Sequence, residues 1–247
     1  MEPSASVEQP ARAALTDRVY ELLRTRIIDL NLEPDARLNA DKLAADMDVS
    51  PTPVREALNR LAAEGLVTAA PYRGFRVSSL LSRSDLAQLL RARQVIECAA
   101  VEQAAENRDQ LELQELSALV ARMDELTSAS TLDVKAFNSA DAAFHRLTVG
   151  ASGNRFLLQA LQSLHVHVQL ARHYMGRSVE EARRANVEHR LLLDAIAERD
   201  GERACQAARA HVDGVLERLQ TQLTSHDGGR FLATAADGND TDEGADR

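Results

Sequence analysis

From Ser84 to Thr224 apolar residues recur every three to four positions, and no stretch alternates with the two-residue period of a strand. That feature restricts the second half of the chain to packed helices. Six helical segments are predicted, at about 84–106, 109–128, 132–150, 154–175, 179–199 and 201–224. The breaks between them are short, such as Gly150-Ala-Ser-Gly153 and Asp200-Gly201, so consecutive helices turn back on one another as an antiparallel bundle. The composition agrees, with aromatic residues at 3%, 11 glycines and 6 prolines in 247 residues dominated by Ala, Leu, Arg and Glu. Such a balance favours helices and excludes an all-β sandwich.

The first third reads differently. Leu15, Val19, Leu22, Leu23, Ile27 and Leu30 share one helical face, and Asn31 and Pro34 close that helix. A short helix from Ala40 to Met47 packs Leu43 and Met47. A tight corner at Asp48-Val49 then leads to Ser50 as N-cap, Pro51 at the first helical position, and Val54, Leu58 and Leu61 as the buried stripe. Gly65 ends this helix. Two β-prone pieces follow, Leu66–Ala69 and Phe75–Ser78, joined by a turn around Pro71-Tyr72-Arg73-Gly74. Helix, helix, corner, helix, hairpin is a winged helix-turn-helix. The fold class is therefore mainly α: a winged helix-turn-helix over 13–79 and a helical bundle over 80–224, with residues 1–12 and 225–247 read as flexible polar ends.

Several classes fall away. No run approaches the roughly 18–20 apolar residues of a membrane helix, and the N-terminus lacks a basic region followed by an apolar one, so a cytoplasmic protein is expected. Cys98 and Cys205 are too few for a disulfide framework and lack a C-x-x-C spacing, and are read as small core residues in a reducing compartment. The net charge of −9 is concentrated at the ends, while residues 11–80 carry ten Lys/Arg and ten Asp/Glu. The acidity therefore neither supports nor excludes nucleic-acid binding by the N-terminal segment.

A helix presented by a tight corner fits the major groove, and a hairpin beside it reaches the flanking backbone. The exposed positions suited to reading are Ser50, Thr52, Arg55 and Asn59, with Arg73 and Gly74 at the wing tip. Arg55 is the strongest candidate, because its planar fork can hold a guanine edge or a phosphate. The same arrangement also serves protein contacts in other settings. The runs Pro34-Asp-Ala-Arg-Leu38, Leu43-Ala-Ala-Asp-Met-Asp-Val-Ser-Pro-Thr-Pro-Val-Arg-Glu-Ala-Leu58, Arg60-Leu-Ala-Ala-Glu-Gly-Leu-Val67 and Arg73-Gly-Phe-Arg-Val77 closely resemble the GntR family of bacterial transcription regulators. That resemblance implies DNA contacts at Ser50, Thr52, Arg55, Arg73 and Gly74, with Arg37 on a phosphate. Asp35 and Asp48 stand where the family usually has Gly, which Asp tolerates in left-handed turns better than most residues. Pro51 stands where Arg is frequent, so the operator sequence is expected to differ from the usual one.

In the second half, polar residues share faces with apolar ones. Phe137, Asp141, Phe144, His145 and Thr148 lie on one helical face, placing Asp141 and His145 a turn apart toward the core. His189 heads the stripe Leu192, Leu193 and Ile196, and His211 lies with Ala204, Ala208 and Val215. Buried groups of this kind need partners. They are either separate core residues or a common ligand set for a divalent ion, with zinc or nickel suited to an imidazole-rich set. His165 and His167 face opposite sides of their helix and make no such pair. His173 either lines the floor of the site or lies exposed, while His226 and Arg183-Arg184 read as solvated surface.

Arg93-x-x-x-Glu97, Asp141-Ala-Ala-Phe-His145-Arg, Ala151-Ser-Gly-Asn154, Glu188-His189-Arg-Leu-Leu-Leu-Asp-Ala-Ile196 and Ala210-His211 together resemble the FCD effector domain of the FadR branch, in its six-helix, VanR-like form. The resemblance implies metal ligation by Asp141, His145, His189 and His211. It also implies that the inward Arg93 meets an effector carboxylate; an internal ion pair with Glu97 is the alternative. The expected protein is a homodimeric regulator that binds a palindromic operator in double-stranded DNA and answers to a small organic acid at its metal. Two other readings stay open: a metal-dependent enzyme carrying a DNA-binding domain, and a DNA-binding protein whose metal is purely structural.

Overall fold

The computed structural model describes residues 8–70, 74–107, 109–175 and 178–226. The N-terminal unit comprises α1 (Glu8–Ile28), β1 (Arg37–Leu38), α2 (Ala40–Asp46), α3 (Pro51–Ala63), β2 (Val67–Ala70) and β3 (Gly74–Val77). Six helices follow: α4 (Arg83–Asn107), α5 (Gln110–Ser128), α6 (Val134–Gly150), α7 (Arg155–Met175), α8 (Val179–Ala197) and α9 (Gly201–His226). The helical half has the six segments expected from its periodicity. α1 begins ahead of residue 13.

In the winged helix the apolar faces of α1 and α3 meet, burying Leu23, Ile27, Val54, Leu58 and Leu61 completely or nearly so. Asn39 caps α2 by accepting from the backbone N–H groups of Asp41 and Lys42, both at 3.0 Å. The left-handed conformations expected of the two aspartates are present, with φ +66° at Asp35 and +53° at Asp48. Ser50 occupies the N-cap position of α3, yet its hydroxyl makes no capping bond. Pro51 at N1 removes one orphan donor.

The wing holds a strand the sequence did not reveal. Its sheet has the order β1-β3-β2, all antiparallel, with Arg37 opposite Arg76 and Leu38 opposite Phe75. Two residues are too few for any alternation to register.

In the helical domain α4 lies along α9, and Phe137, Phe144, Met123, Leu192 and Ile196 fill the main core. α4 and α9 approach closely: a β-carbon on Gly201 would stand 3.4 Å from the backbone of Glu102. The same approach corrects the reading of the two cysteines. Cys98 of α4 and Cys205 of α9 lie in the core, but they are joined in a disulfide, with their Cα atoms 4.4 Å apart. A separation of 107 residues hides such a pairing from sequence spacing.

α7 belongs to both domains. Its Val166 and Leu170 complete the winged-helix core, whereas Val168 and Ala171 pack with Leu86, Leu90, Val212 and Val215 of the bundle. A Lys135–Asp29 ion pair also spans the two domains, beside a cleft of about 830 Å³ whose walls include Tyr20, Arg24, Asn138 and Arg146. Among the described residues no helix is long and apolar enough to cross a membrane.

Candidate metal centre and DNA-reading surface

The i, i+4 spacing on α6 delivers Asp141 and His145 to one point of the core. Asp133 starts that helix, accepting from the Ala136 N–H at 2.9 Å. α8 brings His189 and α9 brings His211, and all four side chains are at most 1% exposed. The three imidazoles offer ligand nitrogens within 4.8 Å of one another. Their ring centroids lie 4.6 Å (His189–His211), 4.9 Å (His145–His211) and 5.2 Å (His145–His189) apart. The Asp141 carboxylate stands 3.8 Å from Nε2 of His145 and 3.7 Å from Nε2 of His189.

Those separations are too long for hydrogen bonds. They are close to the edge of a coordination polyhedron, because ligands about 2.1 Å from a common ion at near-tetrahedral angles stand roughly 3.4 Å apart. Two of the distal nitrogens are engaged by carboxylates. Nδ1 of His145 lies 3.0 Å from Oε2 of Glu97, and Nδ1 of His211 lies 2.8 Å from Oε2 of Glu188. Carboxylates on the far side of imidazoles fix the tautomer and turn Nε2 inward, the arrangement metal-ligating histidines usually have. His211 Nε2 is buried with no hydrogen-bond partner. The donor set therefore fits a divalent cation.

Electrostatics agree. Burial pushes the His211 imidazole down to about 4, against the pull of Glu188, leaving a neutral ring whose lone pair is available. Burial acts to raise the Glu188 carboxyl, but the bidentate hold of Arg218 at 2.7 and 2.8 Å, together with His211, brings it down to about 2. Glu97 is likewise held well below the carboxylate range: burial opposes ionisation, while Arg93 and then His145 favour it.

Arg93 is fully buried and its Nε donates to Glu97, so the internal ion pair exists. Yet both terminal nitrogens, Nη1 and Nη2, are buried with no hydrogen-bond partner. An unpaired guanidinium edge in the core is costly unless something arrives to fill it.

Sequence reasoning missed the roles of Glu97 and Glu188 at the histidines. Glu97 was visible only as a partner for Arg93. Glu188 adjoins His189 but serves His211 on the next helix, a contact that only the α8–α9 packing creates. His165 and His173 have side chains outside the described residues. His167 packs against the winged helix instead of this centre.

On the winged helix Ser50, Thr52, Arg55 and Asn59 are all exposed along the outer side of α3. Arg55 Nη2 donates to Asp41 Oδ1 of α2 at 3.1 Å. Arg37 is exposed on β1, directly across from Arg76 of β3, so the two guanidinium groups share one face of the sheet. Arg76, which the sequence did not single out, is oriented by donating to the Asp35 carbonyl. Gly74 is exposed with φ +79°, and Arg73 lies outside the described residues.

An exposed reading helix with a wing, carried on a helical domain with a buried polar centre, defines a DNA-binding transcriptional regulator. The gntR family of bacterial regulatory proteins matches residues 15–77 and the FCD domain matches residues 88–214, and the chain belongs to this family. It is 32% identical over 203 residues to the HTH-type transcriptional repressor GlaR of Escherichia coli, covering 78% of this chain and 90% of GlaR. An HTH-type transcriptional regulator in an unstable DNA locus of Streptomyces ambofaciens is 31% identical over 222 residues, or 88% of this chain and 90% of that one. Among solved structures, Escherichia coli McbR/YncC superposes with a TM-score of 0.74 at 27% identity, covering 84% of this chain and 98% of that one. These families and relatives are regulators, and the enzyme reading is set aside.

Proposed function

We propose that this regulator works as a homodimer on a palindromic operator in the cytoplasm. In this reading its helical domain holds a divalent metal through Asp141, His145, His189 and His211 and senses a small organic acid there. The convergence of three buried imidazoles and a carboxylate from three helices carries the proposal. Two carboxylates, Glu97 and Glu188, steer two of the imidazoles, and Arg93 beside them keeps both terminal nitrogens uncommitted. Zinc and nickel suit this donor set. When bound, the ion supplies a positive anchor for one end of a carboxylate. Arg93 orients an anionic group through Nη1 and Nη2, while Glu97 holds Arg93 in place through Nε. Ser50, Thr52, Arg55 and Gly74, with Arg37 and Arg73, carry the DNA contacts.

The route from site to DNA runs through α7, whose two faces pack on the two domains. A coupling of about 1–3 kcal/mol between effector and operator suffices for regulation. The test is metal analysis of the purified chain, followed by operator titration in the presence of a panel of small carboxylates. Near-stoichiometric metal and an operator affinity altered by one carboxylate class support the reading. Metal present with operator affinity indifferent to every carboxylate would make the ion purely structural, and absence of metal would sink the ligand set.

A further inference from the structure

Cys98 and Cys205 join α4 to α9 in a disulfide that closes a loop of 107 residues. Each is 6% exposed, and the carboxylate of exposed Glu102 lies within 4.8 Å of both sulfurs. The bond is thus just under the surface, within reach of small reagents. A DNA-binding regulator works where thiol pools reduce disulfides, and a disulfide found there is ordinarily transient and redox-sensing. This premise rests on the cytoplasmic regulator reading above.

The bond's position gives it something to control. Cys98 follows Glu97, which holds both Arg93 and His145. Cys205 lies on the helix that carries His211 and Arg218. The cross-link therefore ties together the two helices whose spacing sets the distance from the Arg93–Glu97 pair to His211. We propose that Cys98–Cys205 is a reversible redox site, oxidised by hydroperoxides and reduced by dithiols, whose state adjusts the α4–α9 fit beneath the buried centre and thereby changes operator affinity.

The chemistry balances with those reagents. One cysteine thiolate attacks a hydroperoxide oxygen; the S–O bond forms, the O–O bond breaks, and the departing alkoxide or hydroxide takes a proton, leaving a sulfenic acid. The second thiol attacks that sulfur; the S–S bond forms, the S–O bond breaks, and water leaves with the second thiol's proton. The two thiols have lost two electrons and the peroxide has gained them. In reverse, an external dithiol attacks one sulfur, passes through a mixed disulfide, and resolves it with its second thiol.

The experiment uses the full-length protein, fully reduced and then divided, one half treated with hydrogen peroxide. Alkylation under denaturing conditions and intact mass count the free thiols, and fluorescence anisotropy gives operator affinity. Two alkyl groups on the reduced form and none on the oxidised form are expected. Operator affinity should differ at least about fivefold between the two forms, return to the starting value with dithiothreitol, and no longer respond to peroxide in Cys98→Ser or Cys205→Ser. Thermal unfolding of the wild type should fall by about 5–10 °C on reduction. Should a serine variant not fold, the double replacement by Ala keeps the test, and the wild-type comparison needs no variant. Two alkyl groups after peroxide, or a disulfide that leaves operator affinity unchanged, would overturn the proposal. The thiol count is independent of metal and effector, so failure of the metal reading leaves this test standing.

Discussion

The imidazole of His167 lies 3.2 Å from the point where a β-carbon on Gly65 would stand. Gly65 ends the reading helix α3 with φ +77°, and His167 sits in the middle of α7, the helix shared with the helical domain. A ring nitrogen of His167 donates to the backbone carbonyl of Glu64, the C-cap of α3. The last turn of the DNA-reading helix is thereby held from the helical domain, at a carbonyl the helix itself leaves unpaired.

Gly65→Ala meets two obstacles at once, a left-handed backbone and a ring in the way. It should destabilise the protein by about 1–3 kcal/mol, measured by urea unfolding. Combining it with His167→Ala should recover only the steric part, and full recovery in the double variant would show that the backbone conformation carries no cost.

Acid should loosen this junction. Burial holds the His167 imidazole below its ordinary 6.5, with the Glu64 carbonyl acting in the opposite direction. The unfolded chain therefore takes up this proton before the folded one does, so stability is full above about pH 6.5 and declines as the pH falls below it. His211 slopes the same way, and the readout is accordingly a difference: His167→Gln should lessen the loss of stability between pH 7 and pH 5. Parallel pH profiles for variant and wild type would contradict the assignment.

Much of this was legible in the chain. Periodicity alone gave the helices, because every segment that buries a stripe must repeat it each turn, and the i, i+4 spacing of Asp141 and His145 already fixed their shared direction. Four things were not legible, each for a physical reason. β1 is too short to display a period. The Cys98–Cys205 bond and the Glu188–His211 contact depend on which helices lie side by side, and no local pattern encodes that. His167 drew no role from its spacing because its partner is a backbone carbonyl, which leaves no mark in the sequence.

Glu188 bridges Arg218 and His211. Glu188→Gln keeps the size and can still accept a hydrogen bond, but removes the charge that steadies both. If His211 is a ligand, metal affinity should fall about 10–100-fold, as is usual on loss of a group supporting a ligand, with little change in operator binding by protein saturated with metal. Competition with a chromophoric chelator reads the first, and an unchanged metal affinity would count against His211 as a ligand.

Arg55 is more than half exposed and, among the described residues, is held only by Asp41, itself more exposed still. A pair so open to water contributes at most about 1 kcal/mol to folding, so Arg55→Ala should leave the unfolding midpoint nearly where it was. Operator binding should respond very differently. A bidentate contact to a base edge is worth about 1–3 kcal/mol, and the proposed dimer would lose it in both half-sites, so specific affinity should collapse toward the non-specific level. Asp41→Asn separates positioning from competition: freed of its anionic neighbour, Arg55 should bind any DNA somewhat more tightly, with discrimination between operator and random sequence narrowed. Anisotropy titrations at two salt concentrations measure both effects. Wild-type operator affinity in Arg55→Ala would remove α3 as the reading surface and shift the weight of recognition to Arg37 and Arg76 on the wing.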